Sequence, residues 1–145
     1  MKLLILAIAA AFAIPAAPSL AQAAPAAAPG ITIAFTGIAT PTGMIMISLF
    51  DSGAAYNGGK PVRVAAVPAD GAAIEAHFEG LPAGRYAVKA FHDVDGDGKM
   101  AVNPFGMPTE PFAFSNDAVG EMGPARWDQA AFDATAATRH TITIR

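Results

Sequence analysis

The sequence predicts an all-β fold: a single antiparallel β-sandwich of about seven strands, with a long ordered loop between the fifth and sixth strands. Three observations carry this. Apolar residues beyond position 30 recur with a period of two, turn-forming Gly, Pro, Asn and Asp separate the apolar runs, and no long segment follows the helical period.

The N-terminus stands apart from that pattern. Lys2 is followed by an apolar run from Leu3 to Ile14, then by small residues ending in Ala21-Gln22-Ala23, the three-part form of a secretory signal with an A-x-A cleavage site. Residues 1–23 are therefore read as a signal peptide and 24–30 as a Pro- and Ala-rich lead-in with nothing to pack. The apolar run is too short to span a membrane, so the mature chain is expected to carry no transmembrane anchor and to be exported, to the periplasm or the medium. Cleavage leaves 122 residues with twelve acids against eight bases, a net charge of −4. That length suits one domain, residues 31–145, with one core. A mild acidic balance offers no electrostatic footprint for nucleic acid, and without cysteine the domain depends on packing and on any ion it binds.

The strands follow in order. Ile31, Ile33 and Phe35 alternate with Thr32 and Ala34. Ile45, Ile47 and Leu49 alternate with Met44, Met46 and Ser48, while Val62 and Val64 flank Arg63. Ile74, Ala76 and Phe78 alternate with Glu75, His77 and Glu79, and Tyr86, Val88 and Ala90 with Arg85, Ala87 and Lys89. "QAAFDA" precedes a last strand, "HTITIR", that sets Ile142 and Ile144 inward. In each, the first-named set is expected to face the core. The rhythm breaks from Asp93 to Asp128, and a stretch that long inside a compact domain is the place to seek a site.

The break opens on "HDVDGDGKM". Asp93, Asp95 and Asp97 occupy positions one, three and five of a calcium loop, Gly98 the sharp turn at six and the Lys99 carbonyl seven. Position twelve, which in an EF-hand supplies a bidentate Glu, is Pro104, and no helix pattern flanks the run, so an EF-hand is excluded. What remains is a partial loop leaving a strand, closed by a distant group: Glu110, Asp117, Asn116 or Asn103. Structural calcium is one reading; an Asx-bonded acidic turn without an ion is the other.

"GLPAGRYAVKAFHDVDGDGKMAVNPFGMPTEPFAFSNDA" resembles the signature of the exported bacterial proteins grouped as domain of unknown function 2141. There a strand ending in His-Asp leads into an Asn/Asp/Gly-rich turn, then a Phe-Gly-x-Pro step and a closing "FSN". Here those elements are His92-Asp93, Asp95 to Lys99, Phe105-Gly106-Met107-Pro108, Glu110 and Phe114-Ser115-Asn116. Ala101 stands where the family often has an acidic residue. The resemblance implies a prealbumin-like or carboxypeptidase-regulatory-like sandwich and no reaction.

The residues offer little for catalysis: no Cys, no G-x-S-x-G and no H-E-x-x-H. His92 beside Asp93 is the one candidate general base, although its strand parity with Tyr86, Val88 and Ala90 points inward. His77 is expected to face solvent, and the three His do not form a zinc set by spacing. Phe105, Phe112, Phe114, Asn116 and Trp127 are candidates for a ligand surface, or for pinning the long loop onto the sandwich. The reading is a non-catalytic binding or structural module with an envelope or extracellular partner, protein or glycan. A hydrolase using His92, and a carrier of a small apolar ligand between the sheets, are the alternatives.

Overall fold

Ile31, Ile33 and Phe35 are buried together in the first strand, β1 (Gly30–Thr36), as the alternation requires. A computed structural model describes residues 30–71 and 73–145. The predicted signal peptide, and the lead-in up to residue 29, lie outside the described residues; Gly30 already belongs to β1. Ile45, Ile47 and Leu49 turn inward from β2 (Met44–Phe50), Ile74, Ala76 and Phe78 from β4 (Ile74–Glu79), and Tyr86, Val88 and Ala90 from β5 (Gly84–Asp93). Between them lie a single helical turn, α1 (Gly53–Tyr56), and β3 (Arg63–Pro68).

Two sheets share this core. One has the order β4-β1-β8, where β8 is Ala137–Thr143; the other runs β3-β2-β5, and the far edge of β5 carries both β6 (Phe112–Phe114) and β7 (Phe132–Ala134). The all-β, two-sheet expectation therefore holds among the described residues, with eight strands rather than about seven.

Three expectations are corrected. The arrangement is not wholly antiparallel: β1 pairs with β8 in parallel, Ile33 opposite His140 and Phe35 opposite Ile142. Alternation sets which face a residue occupies but carries no strand direction. Val64 is 69% exposed instead of buried. Cross-strand partners share a face, so pairing of Val64 with Ser48 sends it outward while Ala65, opposite Ile47, turns in; the strong pattern of β2 overrides the weaker one of edge strand β3. Finally, the break after Asp93 is not one loop, because β6 lies within it. Its inward residue is only Ala113, opposite Ala90, and its aromatics point outward, the reverse of the usual signal.

One of those outward aromatics, Phe114, joins a second, smaller core on the outer face of the β3-β2-β5-β6 sheet. Phe50, Tyr56, Ala87, Phe114, Ala125 and Ala130 are buried there, with Trp127 of the short helix α2 (Trp127–Ala130) packed against them. Tyr56 meets Phe50 and Trp127 edge-on, at ring centroid separations of 5.4 and 5.9 Å, and its hydroxyl donates to the Ala125 carbonyl at 2.9 Å. The outer face of the three-stranded sheet is polar by contrast, with His77 facing outward as expected beside Thr32 and an Arg139–Glu75 pair crossing the strands.

Candidate functional site: an acidic turn, a hairpin and the cleft beside them

β5 ends on a residue that organises the next five. Asp93 is buried, and its Oδ1 accepts from the Gly96 and Asp97 amides at 2.9 and 3.1 Å while Oδ2 accepts from Gly98 at 2.9 Å. Asp95 accepts from Asp97 N at 3.2 Å, and Asp97 from Lys99 N at 2.7 Å. Gly98 adopts φ 78°, the left-handed conformation that a residue without Cβ reaches at little cost. These are Asx bonds, so the turn holds its shape through its own carboxylates.

One oxygen from each of Asp93, Asp95 and Asp97 lies within 4.8 Å of the others, so the triad could hold a metal ion. Asp93 is already engaged by three amides, which leaves the exposed Asp95 and Asp97 as the freer donors. Glu110 stands apart from this group. Its Oε1 accepts from Val94 N and its Oε2 from Ala101 N, both at 2.9 Å, so it ties the two ends of the acidic turn together by hydrogen bonds. Lys99 contributes its amide to Asp97.

Beyond the turn the chain doubles back as a small hairpin. Thr109 N donates to Ala101 O and Asn103 N to Met107 O, each at 2.9 Å, while Asn103 Oδ1 accepts from the Phe105 and Met107 amides. The Phe105 side chain at the tip is left 87% exposed. The hairpin is anchored at its base: His92 N donates to Pro111 O at 2.8 Å, and His92 Nε2 lies 2.6 Å from Thr42 O. His92 is 1% exposed and faces inward, where a general base would have no substrate to reach. The Thr42 turn presses so closely on Asp93 that a Cβ at Gly43, φ 73°, would lie 2.1 Å from the Asp93 carbonyl oxygen.

The "FSN" segment has an equally definite place. β5 bonds β7 at Gly84–Tyr86 and β6 at Lys89–Phe91, and the amide between them, Val88 N, donates to Ser115 Oγ at 2.8 Å. Ser115 Oγ in turn donates to Ala130 O at 2.5 Å. Asn116, at φ 60°, sends its amide to the Gln129 and Ala131 carbonyls, and Asp117 accepts from Thr143 N at 2.7 Å. Acidic turn, hairpin and serine clamp thus occur in one ordered run. The family model for uncharacterized bacterial proteins, DUF2141, matches residues 33–143. The chain belongs to the DUF2141 family. No curated protein and no solved structure matches it significantly.

In this DUF2141 domain the hairpin forms one wall of a cleft of about 960 Å³ on the outer face of the second sheet. Ser48, Lys89, Phe91, Phe112 and Phe114 lie on its floor, and Met100, Phe105, Met107 and Pro108 line it together with Glu121 to Pro124. The candidate ligand residues divide accordingly. Phe105, Phe112 and Phe114 line the cleft; Trp127 packs on Tyr56 and Asn116 pins the β6 turn to α2, and neither lines the cleft. Lys89 and Phe91 were not singled out from the sequence. The available signal was Phe91, a large apolar side chain on the outward parity of β5.

Proposed function

We propose that this domain is an exported, non-catalytic binding module of prealbumin-like type, periplasmic or secreted, that takes an apolar ligand or the apolar part of an envelope partner in the cleft beside the hairpin. One observation carries the reading: exposed Phe105, Met107 and Met122 line the same cleft on a domain whose other sheet face is polar. Clustered exposed apolar side chains on a concave surface mark interaction sites. The acidic turn supports the hairpin wall, and calcium at Asp93, Asp95 and Asp97 is the hard cation that this all-oxygen donor set suits, with water completing its shell. The buried position of His92 argues against the hydrolase alternative.

Titration with the neutral dye Nile red tests the reading. A saturable emission rise, strongly reduced in Phe105→Ser/Met122→Ser at unchanged melting temperature, is expected. No saturable rise, or equal binding by the double variant, would remove the cleft as the site.

A further inference from the structure

Lys89 stands on the floor where the large cleft meets a second hollow of about 380 Å³ that Arg126 also lines. Its ammonium lies 4.1 Å from the centroid of the Tyr56 ring and 5.3 Å from that of Phe50, and it donates one hydrogen bond, 2.7 Å long, to the Tyr56 carbonyl. An ammonium has three donors, and among the described residues no carboxylate lies within 4.0 Å of this one. Burial lowers the Lys89 pKa, in keeping with a charge that has lost water without gaining a counter-ion. Glu121, the other charged residue of the large cleft, is exposed to solvent and needs no partner there. A half-buried charge gains more from pairing than an exposed one, because the local dielectric is lower.

We propose that the cleft binds a single-chain amphipathic anion, its alkyl chain against Phe91, Phe105, Met107, Phe112 and Met122 and its carboxylate on the Lys89 ammonium. This rests on the binding reading above and adds the chemistry of the ligand. The volume lies within the range of small-molecule sites. The apolar walls favour the chain through burial, and the charge-assisted hydrogen bond to Lys89 distinguishes an acid from an alcohol of the same length.

Calorimetric titration with dodecanoate and dodecanol, both below their aggregation limits, reads this directly. Emission of Trp127, the only tryptophan and in contact with Tyr56, gives a second signal. Dodecanoate is expected to bind roughly tenfold tighter than dodecanol. Lys89→Met, which keeps the stem and removes the charge, is expected to erase that preference while dodecanol affinity stays within about twofold, and Lys89→Gln serves if the first variant is unstable. Equal affinity for acid and alcohol in the native protein, or a preference that survives both variants, overturns the assignment even where Nile red still binds. Failure of Nile red and both chains removes the cleft reading itself. Co-sedimentation with phosphatidylglycerol vesicles at an affinity matching that for dodecanoate would put the anion on a bilayer surface and overturn the single-chain ligand.

Discussion

At the residue scale, Ser115 and His140 make the sharpest predictions. Ser115 is fully buried and satisfies both a β5 amide and an α2 carbonyl. Ser115→Ala leaves both without a partner, and a loss of about 2 kcal/mol in denaturant unfolding is expected. His140 stacks on Phe132 at 4.2 Å and accepts from Asn116 N through Nε2 at 3.0 Å, which requires the neutral ring. Burial lowers its pKa from 6.5, with the nearby Asp117 carboxylate acting in the opposite direction. The unfolded chain therefore takes up the proton first. The contribution of the neutral ring is full above 6.5 and is lost as pH falls from there through the lowered folded value. His140→Gln keeps an acceptor that does not titrate, so its melting temperature should fall less between pH 7.5 and 5.5 than that of the native protein. Equal falls would show that His140 is not the group responsible.

At the element scale, the hairpin is held by few groups and each can be removed separately. Glu110→Ala frees the Val94 and Ala101 amides and should cost about 2 kcal/mol of local stability. Hydrogen exchange would show it as faster exchange at Val94 and Ala101 with Val88 unchanged; uniform loss across β5 would mean that the hairpin and sheet open together. The ion is best tested through Asp95, which holds only the 3.2 Å bond to Asp97 N, since Asp93 supports three amides whether or not calcium is present. For a dissociation constant of about 1 mM, 10 mM calcium adds about 1.4 kcal/mol, or about 5 °C in melting temperature. That shift should vanish in Asp95→Ala. A native protein indifferent to calcium would make the acidic run a turn held by its own hydrogen bonds. The acidic turn was legible because its carboxylates, glycines and acceptors are all local in sequence. Glu110 was legible as a closing residue but not in its chemistry, because its amide partners become apparent only once the hairpin has formed.

At the scale of the whole molecule, legibility followed the strength of the alternation. β1 and β2 carry large residues at their inward positions, and β4 and β5 at Ile74, Phe78, Tyr86 and Val88, so all four are readable, as is β8 at Ile142 and Ile144, whereas Val64 faces outward because its strand takes its register from β2. The cleft was not legible, since Ser48, Lys89, Met107 and Met122 come together only when β2, β5 and the two loop arms share one face. The two sheet faces should behave differently as a result. Arg139→Ala on the polar face removes an exposed, solvent-screened ion pair and should leave the unfolding free energy nearly unchanged, with Nile red binding intact. The parallel pairing of β1 with β8 also governs how the chain reaches its native state. Thr36 and Thr143 are 107 residues apart yet opposite each other, so the central strand of its sheet keeps one edge open until β8 has joined it. Pairing strands so far apart in sequence defers much of the contact energy until a long loop has closed, so this domain is expected to fold slowly for its size.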